Sequence, residues 1–171
     1  MKWRIAILLV ATTLAAAEPL TVTKESAGKF YREFKRLTAQ PRYVAPLTAL
    51  LCTFPGKELL EKESALTGPH TRVSVHIYAN TIADGAVTAN AAEFPEGAVI
   101  VKEKLGRDAA VTDVGGMIKR AEGYDPKNGD WEFFFFTPGG DFATGKLENC
   151  IGCHNGGKRD HVFSVWSFAA K

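Results

Sequence analysis

The spacing of apolar residues changes along this chain, and each change marks a different element. Between Glu25 and Thr38, Phe30, Phe34 and Leu37 recur at helical intervals while Lys29, Arg32, Lys35 and Arg36 fill the opposite side. That pattern predicts an amphipathic helix, which Pro41 and Pro46 bring to an end. From Thr71 the period falls to two, with Val73, Val75 and Ile77 alternating against Arg72, Ser74 and His76, and a strand is expected. Asn80 to Asn90 is alanine-rich, and Asn80 is placed to cap a short helix that Gly85 weakens. Pro95-Glu96-Gly97 turns the chain into a second strand over 98–104. Val111 to Glu122 supplies a third, interrupted by Gly115-Gly116. Asp125-Pro126-Lys127-Asn128-Gly129-Asp130 combines a proline with an Asn-Gly pair, the strongest turn signal in the chain. It leads into Trp131-Glu132-Phe133-Phe134-Phe135-Phe136.

That last run puts Trp131, Phe133 and Phe135 on one face and Phe134 and Phe136 on the other, as a strand buried on both sides requires. His161 to Phe168 predicts a final strand with Val162, Ser164 and Trp166 on one face. Without repeats, low-complexity tracts or linkers, the simplest assembly is one α+β domain: a mainly antiparallel sheet with flanking helices.

The first residues stand apart from that domain. Met1-Lys2-Trp3-Arg4 is basic, Ile5 to Val10 is apolar, and Ala15-Ala16-Ala17 is small. This is the anatomy of a cleaved export signal over 1–17, leaving one domain over 18–171. The apolar run is too short to span a bilayer, so no membrane association is expected after cleavage. Cleavage takes Lys2 and Arg4 from the 21 basic residues, so bases and acids balance at 19 each. A nucleic-acid partner, which demands a basic face, is therefore not expected.

Chemistry concentrates in Cys150-Ile151-Gly152-Cys153-His154. Two thiols three residues apart on a helical turn can each add to a haem vinyl group, and the next residue carries its imidazole under the iron as axial ligand. Thiolates and imidazole also serve redox C-x-x-C pairs and zinc. A thioredoxin-type pair needs a following helix, which Asn155-Gly156-Gly157 breaks, and zinc needs a second ligand cluster that the chain lacks. One covalently bound haem c is the favoured cofactor, packed against the sheet with Phe133 and Phe135 as candidate pocket walls. Export fits this, because covalent haem attachment takes place outside the bacterial cytoplasmic membrane, and the periplasm is the expected compartment. Cys52, in the apolar run Leu50-Leu51-Cys52-Thr53-Phe54, reads as a buried thiol. His70, His76 and His161 read as structural or surface residues.

Three segments in order, Glu93 to Glu103, Gly129 to Phe136, and Cys150 to His154 followed by Asp160-His161-Val162-Phe163, resemble cytochrome P-460 and its relative cytochrome c'-beta. The resemblance runs from Pro69 to Phe168. It implies a homodimer of mostly antiparallel β structure holding one high-spin haem with an open distal side. Consistent with that, Met117 is the one methionine after position 1, whereas small electron carriers use a methionine as sixth ligand. A six-coordinate electron-transfer cytochrome c is accordingly the least favoured reading.

The resemblance also makes Lys102 the candidate haem cross-link, since a matching lysine in cytochrome P-460 bonds to the porphyrin. Such proteins oxidise hydroxylamine and bind nitric oxide, passing electrons to another cytochrome. The cytochrome c'-beta relatives lack the bond and bind nitric oxide or carbon monoxide without turnover. A strand lysine alternating with Ile100 and Lys104 is otherwise an ordinary solvated residue. Oxidising hydroxylamine requires proton removal as electrons leave, so a distal carboxylate is expected. Asp141 and Glu148, between the aromatic strand and the attachment turn, are the candidates.

Overall fold

The computed structural model describes residues 19–44, 73–106 and 108–163. The export signal, Cys52, His70, Ser164, Trp166 and Phe168 lie outside the described residues. Seven strands form one sheet: β1 (Lys35–Arg36), β2 (Arg42–Val44), β3 (Val73–Ala79), β4 (Val99–Leu105), β5 (Val111–Lys119), β6 (Trp131–Phe136) and β7 (Phe142–Gly145). Among the described residues two α-helices accompany them, α1 (Thr81–Thr88) and α2 (Glu148–His154). Every pairing is antiparallel, in the order β3-β4-β5-β6-β7, with β1 and β2 lying along the free edge of β3. The α+β expectation holds. Among the described residues, no helix is long and apolar enough to cross a membrane.

Alternation along the strands separates two apolar layers. One face carries Val75, Ile77, Ile100, Met117, Trp131 and Phe133, and both helices close over it. The other carries Val99, Val101, Val114, Ile118 and Phe134 and is covered by Val22, Ala27, Phe30 and Tyr31 of the N-terminal segment. Burying Trp131 and Phe134 completely, from opposite faces of β6, is what the aromatic run requires. Each ring of this size removes 150–250 Å² from water, at about 25 cal/mol per Å².

The capping asparagine performs as its position predicts. Asn80 Oδ1 accepts the Ala83 N–H at 2.9 Å and starts α1. The same oxygen accepts from Val99 N–H, and Nδ2 donates to the Gly97 carbonyl. One side chain therefore ties the helix start to the entry of β4. The Asp125–Asp130 turn contains a short 3₁₀ helix, Pro126–Asn128, closed by Gly129 at φ 64°, a conformation open to glycine because it has no Cβ.

Two expectations fail. The amphipathic helix over Glu25–Thr38 is instead a series of turns, a 3₁₀ helix at Phe30–Glu33, and then β1. Phe30 and Phe34 pack on one face of the sheet, whereas Leu37 joins the layer on the other. A continuous helix cannot put residues of one stripe on opposite sides of a sheet. The chain leaves the 3₁₀ helix extended at Phe34, and the Leu37 N–H donates to the Ile77 carbonyl at 2.8 Å. The second is that the expected final strand does not begin at His161; residues 164–168 of it lie outside the described residues. His161 and Val162 belong to a tight turn closed by a single bridge, Arg159 to Val162, because Asp160 and His161 both take positive φ and reverse the chain.

Candidate functional site

Helix α2 is two turns long and carries the Cys150-to-His154 pattern. Leu147, Cys150 and Ile151 pack against the apolar layer of the sheet, which lays the helix flat on that face. Beyond His154 the amides of Asn155, Gly156 and Gly157 still bond back to Ile151, Cys153 and His154. The chain then turns away through the glycines.

His154 is the best-determined group of the site. Its Nδ1 lies 2.8 Å from the His161 carbonyl oxygen. A carbonyl only accepts, so Nδ1 carries the proton and donates, and the lone pair is left on Nε2. The ring lies between Phe133, at 5.1 Å between centroids, and Phe163, at 5.4 Å. Burial is the main reason that its pKa is lowered to about 4, helped by the Lys102 charge and by His161, and opposed by the hydrogen bond to the His161 carbonyl. At neutral pH this is a neutral imidazole with a fixed tautomer, the form that ligates a metal.

The carbonyl that fixes His154 belongs to an anchored turn. Asp160 and His161, its two central residues, stand at φ 48° and 60°, as a type I′ turn requires. Non-glycine residues adopt this backbone only when their surroundings enforce it. Asp160 Oδ2 accepts the Phe94 N–H at 2.8 Å, and both of its oxygens meet Lys119 Nζ, at 2.9 and 2.7 Å. The Asp160 carbonyl accepts from Trp131 Nε1 at 2.8 Å, and Arg159 bonds to Asn90. The Asp160 side chain is 5% exposed and that of Lys119 14%. Removing one partner of such a buried pair strands the other charge, at about 3–5 kcal/mol.

Lys102 lies on the same face as α2. Its register partners across the sheet are Ile77 on β3 and Gly115 on β5, and Gly115 in turn stands opposite Phe135. Phe135 is buried, as is Phe133 beside the imidazole. Lys102, Gly115 and Phe135 thus form one row across three strands. A Cβ added at Gly115 would meet nothing closer than the Phe134 carbonyl oxygen at 3.8 Å, an ordinary van der Waals contact, so the centre of the row tolerates a methyl group. Two residues along β4, on the same face, Lys104 pairs with Asp113 at 3.3 Å.

The two candidate acids sit apart from this row. Asp141 is exposed, and its carboxylate accepts from Thr137 Oγ1 at 3.0 Å within its own turn. Glu148 is exposed in the first turn of α2. His76 is buried on the opposite face with Nδ1 2.9 Å from Thr38 Oγ1, a structural role as expected. Sequence reasoning missed Lys119, Asp160 and Gly157. The Trp131 indole N–H was a usable signal, because a buried indole seeks an acceptor. Nothing in the local pattern of Lys119 pointed to an aspartate 41 residues away.

The donor set fits a haem attached through two thiols. Among the described residues, no three His, Cys, Asp or Glu side chains are grouped to hold a bare metal ion, so Cys150, Cys153 and His154 do not converge on one point. Attachment of a ring at its edge and its centre needs this divergence; zinc needs the reverse. The family model for cytochrome P460 matches residues 58–164, more than half of the chain. No curated protein matches the sequence.

Proposed function

Because this chain belongs to the cytochrome P460 family and is therefore a haem-binding cytochrome, we propose that Cys150 and Cys153 hold one haem c and that His154 Nε2 is its axial ligand. We further propose that the opposite side of the iron takes hydroxylamine or a related small nitrogen species and oxidises it, with the electrons leaving to another cytochrome. The observation that carries this reading is the His154 hydrogen bond to the His161 carbonyl, which commits Nδ1 and leaves Nε2 unprotonated.

When bound, the haem supplies an iron centre able to accept electrons from a coordinated small molecule. The residues around it do the positioning. Phe133 and Phe163 hold the imidazole from two sides, and α2 carries both cysteines on the face that also bears Lys102 and Phe135. Lys102 is the proposed cross-link to the ring, a bond that would distort the macrocycle and so change its reactivity. Exported, periplasmic and homodimeric protein is part of the same proposal; gel filtration against a dimer standard tests the last.

A second reading, reversible capture of nitric oxide or carbon monoxide, is favoured by one observation. The Asp141 carboxylate is engaged by Thr137 and Glu148 faces solvent, so neither is held ready to take the protons that oxidation releases.

One absorption spectrum of the reduced holoprotein, with mass spectrometry of its haem peptide, separates these. A strongly red-shifted Soret band and a haem peptide that retains the Lys102 segment support oxidation. An ordinary high-spin haem c spectrum without that peptide leaves gas binding. A sharp low-spin spectrum would sink both in favour of a six-coordinate electron carrier.

A further inference from the structure

We propose that Asp160 is a positioning residue for the iron site: by locking the Arg159–Val162 turn it holds the His161 carbonyl against His154 Nδ1, and so sets the orientation and electron donation of the axial imidazole. The inference rests on the reading of His154 as axial ligand.

Asp160 itself does not touch His154. It acts through the next residue, whose carbonyl oxygen accepts from Nδ1 at 2.8 Å. A carbonyl in an unsupported turn would swing away, because Asp160 and His161 both occupy positive φ, which side-chain-bearing residues abandon when nothing holds them. Three residues, two on strands and one in a loop, prevent this. Lys119 at the end of β5 grips both carboxylate oxygens, the Phe94 N–H donates to one of them, and Trp131 Nε1 at the start of β6 donates to the Asp160 carbonyl. Lys119 and Trp131 are themselves register partners, and Lys119 Nζ lies 5.2 Å from the Trp131 ring centroid. The turn is thus anchored to the ends of β5 and β6 and to Phe94, and not only to the loop that carries it.

The chain is also built to let the carbonyl come this close. A Cβ on Gly157 would lie 2.5 Å from His161 C, 2.7 Å from its O and 2.8 Å from Val162 N. All three are backbone atoms that cannot rotate aside. Any residue larger than glycine at 157 therefore pushes the acceptor off Nδ1 directly, independently of Asp160.

A hydrogen bond at Nδ1 raises the electron donation of an imidazole ligand, and its loss lowers it. Weakening the turn should therefore weaken the iron–histidine bond and favour the reduced iron. The experiment compares purified holoproteins, Asp160→Asn, Lys119→Met and Gly157→Ala, with wild type. The measurements are the iron–histidine stretching frequency of the ferrous protein by resonance Raman and the reduction potential. Glu132→Gln is the control, because it breaks another part-buried ion pair, Arg120 with Glu132, without touching the turn. The expected result is a lower stretching frequency and a higher potential in all three variants, with the control at the wild-type values. Lys119→Met leaves the Phe94 and Trp131 bonds in place and serves if Asp160→Asn does not accumulate. Wild-type values in Gly157→Ala and in either turn variant overturn the positioning role while leaving haem attachment intact. Equal shifts in the control also overturn it, since they would report general loosening. Wild-type protein purified without covalent haem would overturn the cofactor reading, and this inference with it.

Discussion

Gly115 and Gly116 are neighbours on β5, yet replacing each with alanine should have opposite results. Gly116 faces the layer beneath the N-terminal segment and stands opposite Phe134 in the register of β5 and β6. A Cβ there would lie 2.3 and 2.4 Å from the Phe134 Cζ and Cε1 atoms and 2.8 Å from the Ile100 carbonyl oxygen. Carbon atoms not bonded to each other rest about 3.5–4.0 Å apart, so the ring would have to retreat by more than about 1 Å. Phe134 is 1% exposed and meets Phe30 edge-on at 5.5 Å, so there is no free volume to receive it. The Ile100 carbonyl belongs to the β4–β5 ladder and cannot withdraw without breaking pairing. Overpacking of this kind costs about 1–3 kcal/mol, and a backbone atom among the clashes puts Gly116→Ala at the upper end. At about 2–4 °C per kcal/mol for a chain of this length, Tm should fall by about 6–12 °C. Gly115→Ala meets only an ordinary van der Waals contact, the Phe134 carbonyl oxygen at 3.8 Å, and should be neutral or gain about 0.5–1 kcal/mol from reduced backbone freedom. Thermal denaturation followed by far-ultraviolet circular dichroism compares the two. A Gly116→Ala protein within about 1 °C of wild type, or a Gly115→Ala protein that falls as far as Gly116→Ala, would refute the assignment of the two faces.

The register predicts that Gly115→Leu folds but takes up less haem, because the larger side chain stands in the row between Lys102 and Phe135 on the face that carries α2; the ratio of Soret to protein absorbance reads this directly. Replacing either Cys150 or Cys153 with alanine should leave one thioether and a haem still resistant to acid–acetone extraction, whereas the double variant with Lys102→Ala added should release it. His154→Gly should lose the axial ligand, and added imidazole should restore the spectrum by entering the vacated volume between Phe133 and Phe163. A pH dependence is expected from the other face of the sheet. The Tyr31 hydroxyl donates to Glu103 Oε1 at 2.6 Å, and Tyr78 donates to Oε2 at 3.1 Å. Burial first, and then Glu103, raise the Tyr31 pKa well above its usual 10.0. Below that usual value both folded and unfolded chains keep the proton and stability is whole. Above it the unfolded chain ionises first, so stability falls with rising pH. Urea midpoints from about pH 8 to about pH 11 should show this loss, and Tyr31→Phe should reduce it while costing about 1–3 kcal/mol at neutral pH, because Glu103 Oε1 loses its donor.

Where the apolar period was carried by neighbours in sequence, reading it worked. Val73, Val75 and Ile77 alternate because successive side chains of a strand point to opposite faces, and β3 lies where the alternation says. Trp131 to Phe136 is buried on both faces because it is an inner strand, as its composition required. Asn80 caps α1 through a bond three residues long. The helix over Glu25–Thr38 failed for the opposite reason. Phe30, Phe34 and Leu37 have helical spacing, but Leu37 is claimed by the layer on the far side of the sheet, and the edge of β3 offers the Leu37 N–H an acceptor that the local pattern does not contain.

The site divides in the same way. Cys150, Cys153 and His154 are legible from sequence because the chemistry demands fixed spacing along one helical turn. The family is legible because three ordered segments carry it. What fixes the proton on His154 Nδ1 is a carbonyl seven residues on, presented by a turn that Lys119 on β5, Trp131 on β6 and Phe94 in the loop before β4 hold from three separate places in the chain. Those partners are set by the antiparallel register of β5 and β6 and by the packing of α2, neither of which leaves a period or a motif in the chain. The sequence by itself therefore determined which atoms can hold the cofactor; the tertiary structure decided how the ligand is oriented, because orientation comes from contacts between residues that only the fold brings together.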